Sequence, residues 1–160
     1  MAKWCFVLAL FLVGCSSEPA PVVTQYSLAI KSGKSANPSE SNDSNPVVVR
    51  LYQLTDAQMF KQQPFIDLYS NDVQLLSANL ISKQILPVVI PGSEEKITLD
   101  INNQTQYVGV LVEFIDYQQS EPKSVSMLPK NSDEYLQLSI SGDKAKLEVI
   151  TPDSPWWKLF

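Results

Sequence analysis

The sequence predicts a mainly β fold, a two-layer β-sandwich of seven or eight strands with one or two short helices inserted. Three observations carry that expectation. Short apolar runs alternate at period two and are separated by Gly, Pro, Asn and Asp. Two runs are apolar at nearly every position, one suited to a strand covered on both faces and the other to a central strand. Only the stretch from Thr55 to Leu76 changes to helical spacing.

Taken in order, Tyr26-Ser27-Leu28-Ala29-Ile30 alternates strictly and reads as the first strand. Lys31 to Asn45 is rich in Ser and Asn with almost nothing apolar, so it reads as a long loop. Loops of that length in compact domains are uncommon unless they are functional or disordered. Its side chains both donate and accept hydrogen bonds, which suits a protruding recognition loop. Val47 to Leu54 is a β-branched run suited to a strand buried on both faces. Thr55-Asp56-Ala57-Gln58 matches a capping box, with the Thr55 hydroxyl satisfying a first-turn N–H and Gln58 reaching back. Met59 and Phe60 give that helix an apolar side and Pro64 stops it. Phe65, Leu68 and Tyr69 lie at helical spacing, and Asn71 is placed to cap a further turn carrying Leu75 and Leu76.

Period two then returns. Ile85 to Ile90 reads as a strand leading through a Pro91-Gly92 turn into Lys96 to Ile101, a half-buried hairpin followed by the Asn102-Asn103 turn. Tyr107 to Ile115 is nearly continuous apolar sequence and the best candidate for a central strand; Ser124 to Leu128 is a weaker one. Leu136, Leu138 and Ile140 pair across Gly142-Asp143 with Ala145, Leu147 and Val149. There is no internal repeat.

The opening residues are of another kind. Lys3 and the apolar run Trp4 to Val13 read as an export signal over 1–14. The run is too short to cross a hydrocarbon core, which takes about 20 helical residues. Leu12-Val13-Gly14-Cys15 resembles the bacterial lipobox, which implies cleavage before Cys15 and acylation of its thiol and new amino group. Several acyl chains anchor stably, at roughly 0.8 kcal/mol per buried CH₂. Ser16 in place of Asp resembles the sorting pattern for the outer membrane, with the body in the periplasm. Residues 15–24, with Pro19 and Pro21, read as a tether, 25–151 as the sandwich domain, and 152–160 as a tail. Cys5 leaves with the signal and Cys15 carries lipid, so no structural disulfide is available.

Composition excludes several functions. With 12 basic and 17 acidic residues the chain is poorly suited to nucleic acid or to electrostatic docking on anionic lipid. Histidine is absent, which removes the commonest general base and the common zinc ligand. Asp67, Asp72, Glu94, Glu95, Asp100, Glu113, Asp116, Asp133 and Glu134 fall at turns or on polar strand faces, the placement of a solvated surface. No phosphate loop or calcium-loop spacing is present, so no catalysis, metal or cofactor is expected. The aromatic tail Pro155-Trp156-Trp157-Lys158-Leu159-Phe160 either packs back over the sandwich or touches a partner or membrane. The competing class is a cell-wall or glycan-binding lipoprotein, which needs several exposed aromatics on one face; the sequence clusters aromatics only in the tail.

Asn37-Pro38, the run Pro46-Val47-Val48-Val49-Arg50-Leu51-Tyr52-Gln53-Leu54, Phe60 and Phe65 with Leu68-Tyr69, Pro91-Gly92, and Tyr107-Val108-Gly109-Val110 through Phe114 occur in this order after the lipobox. Together they resemble the type VI secretion lipoprotein family, called TssJ. That resemblance implies a transthyretin-like β-sandwich anchored in the outer membrane. It implies binding to the periplasmic domain of the inner-membrane protein TssM and, through it, to TssL. It implies that the loop between the first two strands is the partner contact, here through Lys34, Asn37, Ser39, Glu40, Asn42 and Asp43. Arg50 and Tyr52, inside a strand, are assigned to the fold. Two departures stand out: Ser39-Glu40-Ser41-Asn42-Asp43-Ser44-Asn45 replaces the family's Gly and basic residues, and Ile115-Asp116 replaces its Arg-Asp.

Overall fold

A computed structural model describes residues 22–152; the expected signal, Cys15 and the tail from Pro155 lie outside the described residues. Among the described residues eight strands form two sheets. One has the order β4 (Glu94–Asn102), β1 (Val23–Ser32), β7 (Tyr135–Ser141), β8 (Lys144–Ile150). The other has the order β3 (Leu80–Ile85), β2 (Val49–Leu54), β5 (Tyr107–Val112), β6 (Lys123–Met127). β1 and β7 run parallel, with Leu28 opposite Leu136, and the remaining pairs are antiparallel. Helices α1 (Gln58–Gln62) and α2 (Phe65–Leu76) connect β2 to β3.

The sandwich core fills with alternate residues of both sheets, among them Leu28, Ile30, Val49, Leu51, Leu99, Val108, Val110, Leu136 and Leu138. A second apolar cluster lies on the other side of β2 and β5: Tyr52, Leu54 and Leu111 pack with Phe60, Leu68 and Leu76 of the helices. These two strands are therefore covered on both faces, and this is the physical reason for their continuous apolar sequence. Gly109 lets the helices approach: a Cβ there would meet the Phe60 ring at 3.2 Å and Leu54 at 3.4 Å. Lys123 fastens α1 to β6, its ammonium donating to the carbonyls of Phe60 and Lys61 at 3.3 and 3.0 Å and to that of Gln63. Its burial lowers its pKa.

Polar groups stitch the sheets at both sides. Along β6 and β8, the Ala145 N–H donates to Glu121 O at 3.0 Å and the Leu147 N–H to Ser124 Oγ at 2.8 Å. On the opposite side the buried Gln53 side chain reaches β4, donating to Asp100 O at 2.9 Å and accepting from Asn102 N at 2.8 Å and Thr105 Oγ1 at 3.0 Å. Both its amide nitrogen and its amide oxygen are engaged, as burial of such a group requires.

Several expectations are corrected. No strand spans 85–90: β3 ends at Ile85 and pairs with β2, and the chain then crosses to the other sheet with only a Val47–Val89 bridge. Pro87 supplies no N–H for a ladder there. β4 pairs with β1, so the two segments are not a hairpin. β3 carries no strand signal in the sequence because it is a mostly exposed edge strand without an alternating apolar face. The Thr55 capping box does not form: α1 starts at Gln58, whose N–H is held by Asp56 Oδ1 at 2.7 Å, and the Thr55 hydroxyl turns to Asn79 Oδ1 at 3.4 Å. β1 takes Val23 and Thr24 from the expected tether and Lys31 and Ser32 from the expected loop. β5 stops at Val112, before Ile115. Asn71 does interrupt the helical backbone, at φ −139° within α2, and the Gly142-Asp143 hairpin forms as expected, with Gly142 at φ +57°.

Gly109→Val forces Phe60 out of its seat. It is expected to destabilise the fold by about 1–3 kcal/mol, measured as a lower urea midpoint with the native circular dichroism spectrum retained before the transition.

Candidate interface at the loop end of the sandwich

β1 delivers the chain into residues 33–48, and this segment is folded on itself. Pro38 bridges Ser44, the Ser39 N–H donates to Asp43 O at 2.9 Å, and the Ser44 hydroxyl donates to Lys34 O at 2.6 Å. Asn42 turns the tip at φ +63°, a conformation Asn tolerates better than most residues. Asn37 holds the base. It also has positive φ, +52°, and is 3% exposed. Its Nδ2 donates to Pro46 O at 2.9 Å, its Oδ1 accepts from the Ile115 N–H at 2.8 Å, and its own N–H donates to Gly142 O at 2.8 Å. One residue thus ties the β1–β2, β5–β6 and β7–β8 loops together.

Between these loops lies a groove of about 510 Å³. Its walls include Ser39, Glu40 and Asn42 on one side and Ile115, Asp116, Tyr117, Gln118 and Gln119 on the other, with Asp143 from the third loop. It carries three carboxylates and no cationic side chain among the described residues. Such a lining offers hydrogen-bond acceptors, amides and one exposed aromatic ring, the chemistry of a recognition surface.

The Tyr117 wall is braced from behind. Tyr117 stacks on Phe65 at 5.1 Å, Phe65 on Tyr69 at 5.7 Å, and the Arg50 guanidinium lies over the Tyr69 ring at 4.6 Å. Arg50 Nε donates to Glu113 at 2.6 Å and Nη1 to Tyr69 O at 3.0 Å. Asp72, expected on a solvated face, is instead buried: it accepts from the Tyr52 hydroxyl at 2.8 Å and from Lys83 Nζ at 2.9 and 3.0 Å. Burial pushes its carboxyl up, but the Lys83 and Tyr52 hydrogen bonds outweigh this and hold it below the ordinary range. Burial first, then the Asp72 hydrogen bond, keep the Tyr52 hydroxyl protonated well above the usual phenol range. Arg50 and Tyr52 belong to the fold, as their strand position implied.

Of the residues expected from the sequence to be contacts, Ser39, Glu40 and Asn42 reach the groove. Lys34 lies at the loop's other flank beside Gly92, and Asp43 is exposed at the tip, accepting from the Ser41 hydroxyl at 2.7 Å. Asn37 is corrected: its side chain is consumed inside the fold and supports the surface without being offered to a partner. The residues the sequence did not single out, Tyr117 to Gln119 and Asp143, come from separate turns. A polar stretch between two strands was the signal available for them.

A family model described as type VI secretion lipoprotein, VasD, EvfM, TssJ matches residues 24–144. The chain belongs to this type VI secretion lipoprotein family. No curated protein sequence matches it. Among solved structures it is similar to the T6SS lipoprotein TssJ1 from Pseudomonas aeruginosa, at 19% identity and TM-score 0.71 over 84% of this chain and 100% of that one. It is also similar to a chain of a structure described as a type VI membrane complex, at 22% identity and TM-score 0.68 over 79% of this chain and 98% of that one. A third match is to a chain of a structure described as the T6SS protein TssM C-terminal domain from EAEC, at 20% identity and TM-score 0.63 over 79% and 98%. At these identities the structures establish a shared fold, the β-sandwich with short helices that the type VI lipoprotein's sequence predicts.

Asn37→Ala strands the Ile115 N–H and Pro46 carbonyl. It is expected to cost about 1–3 kcal/mol, with amide exchange at Ile115 accelerated well beyond that of the β5 core. Asp72 gives a pH signature. A carboxylate held low stabilises the fold above its unfolded pKa near 3.9, and this contribution is lost as pH falls through the native value. Asp72→Asn is expected to cost about 2 kcal/mol at neutral pH, with the gap to the parent protein narrowing as the pH is taken from about 5 toward 2; urea unfolding at several pH values measures it.

Proposed function

We propose that this type VI secretion lipoprotein anchors the secretion membrane complex to the outer membrane, held there by acyl chains on Cys15 and gripping the periplasmic domain of TssM with its loop end. TssL then joins through TssM. The observation that carries this reading is polarity. β1 has ten residues and so spans about 30 Å; the tether enters at its Val23 end and the groove lies beyond its Ser32 end. A lipid anchor at one end and an ordered loop cluster at the other is the arrangement that presents a binding surface away from a membrane.

Within this reading Lys34, Ser39, Glu40, Asn42 and Asp43 make the contact, Ile115, Tyr117 and Gln118 complete it, and Asn37 holds their loops in register. Confinement between two membranes raises effective concentration, so a modest interface suffices. The reaction chemistry a histidine would supply is not needed, because the task is binding.

The fold does gather surface aromatics that the sequence did not cluster, Phe65, Tyr69 and Tyr117, which bears on the glycan-binding alternative. Phe65 stacks on both Tyr69 and Tyr117, and Arg50 lies over Tyr69, so Tyr117 alone of the three is left to meet a sugar, short of the several exposed rings that reading needs.

The test is capture of the cognate TssM periplasmic domain by the mature protein, with and without residues 34–43 replaced by a Gly-Ser loop. Binding is expected for the parent protein and lost with the loop, while thermal unfolding stays cooperative in both. A folded parent protein that captures nothing would move the glycan reading to first place.

A further inference from the structure

One wall of the groove is tied down unevenly. The turn that forms it, residues 113–122, joins β5 to β6. Its start is fixed by the Glu113 N–H donating to Val48 O at 2.9 Å and the Ile115 N–H to Asn37 Oδ1 at 2.8 Å. Its end is fixed by the Glu121 N–H donating to Asp143 O at 2.9 Å, while Glu121 O accepts from the Ala145 N–H at 3.0 Å. In between, among the described residues, no hydrogen bond joins residues 116–120 to another element; the Gln119 N–H donates to Asp116 Oδ1 at 3.3 Å, inside the turn. Yet Asp116, Tyr117, Gln118 and Gln119 all line the groove.

What the middle of the turn has is the Tyr117 ring, stacked on Phe65 with centroids 5.1 Å apart and planes at 22°. Phe65 is itself well supported. It opens α2 and packs against the apolar cluster of Tyr52, Phe60 and Leu68. Tyr69 stacks on it at 5.7 Å and 25°, and the Arg50 guanidinium covers Tyr69 at 4.6 Å. Arg50 Nε donates to Glu113 at 2.6 Å, at the root of the same turn. A column of flat side chains thus runs from β2 through α2 to the groove wall. Phe65 does not line the groove.

We propose that Phe65 is a positioning residue for partner binding: it sets the affinity of the groove by holding Tyr117, and with it residues 116–119, in the conformation the partner meets, without touching the partner itself. The inference rests on the groove being the contact for the TssM periplasmic domain. Without the ring beneath it the turn keeps both ends but moves between them, and association then has to order it.

Phe65→Leu keeps an apolar side chain in the cluster and removes the flat face; Phe65→Tyr keeps the face. In the free mature protein, NMR relaxation of Phe65→Leu is expected to show lowered order at residues 117–119 and shifted Tyr117 ring resonances, with β2 and β5 unchanged and Phe65→Tyr like the parent. A turn that stays as ordered in Phe65→Leu overturns the proposal. In capture of the TssM periplasmic domain, Phe65→Leu is expected to lose affinity by about three- to tenfold, Phe65→Tyr to restore it, and Phe65→Leu to add no further loss to Tyr117→Ala, because it acts through that ring. Losses that add overturn the proposal. Met59→Ala, in the same apolar cluster but outside the stack, is expected to lower the unfolding midpoint and leave capture unchanged; a loss as large as that of Phe65→Leu would reduce Phe65 to a structural residue. A folded parent protein that captures nothing sinks the anchoring reading and this inference together, whereas parent-like capture by Phe65→Leu sinks this inference alone.

Discussion

A single buried amide sets the shape of the loop end. Asn37 accepts from Ile115 and donates to Pro46 while its backbone N–H reaches Gly142, so three loops from two sheets share one residue. Positive φ at this position turns the chain so that the side chain points into the protein and the segment beyond it folds outward. The 39–43 tip rises from this base as a hairpin closed by its own Ser, Asn and Asp hydrogen bonds. An ordered tip matters for binding, because a surface already held in one conformation does not have to lose that freedom on association.

The other wall of the groove depends on the helical layer. Two strands carry apolar residues on both faces, and α1 and α2 cover the face that the opposing sheet does not. Gly109 allows Phe60 to sit on β5, and Phe65 and Tyr69 of α2 then line up behind Tyr117. The charges beneath α2 register it against β2 and β3: Arg50 and Lys83 converge on Asp72, and Tyr52 supplies a hydrogen bond from the strand. Such buried pairs are weak sources of net stability, but they specify where a helix sits.

Much of this fold was legible in the sequence, for reasons that can be named. Leu138 opposite Leu147 across Gly142-Asp143 followed from alternation and turn chemistry, both local. The double burial of β2 followed from the apolar run ending in Leu54, and the central place of β5 from the nearly continuous apolar run that begins at Tyr107. β3 was not legible because Leu80 to Ile85 is an edge strand without an alternating apolar side. Asp72 looked like one more surface acid, since only the fold brings Lys83 and Tyr52 to it. The loop after β1 was visible as a polar stretch, yet the distinction between Asn37 as support and Glu40 or Asn42 as surface required coordinates. The groove's second wall, at Tyr117 to Gln119, is joined to the loop by a contact spanning 78 positions and was therefore out of reach of local pattern.

In the proposed function the two ends of one strand serve two tasks, anchoring at Val23 and recognition beyond Ser32. Hydrogen–deuterium exchange of the mature protein, alone and saturated with the TssM periplasmic domain, tests that assignment most directly. The expected result is new protection at residues 33–45 and 114–120, with the β1 entry and the α2 surface unchanged. Protection centred on α2 or on the tether end, with the loops still exchanging freely, would contradict it.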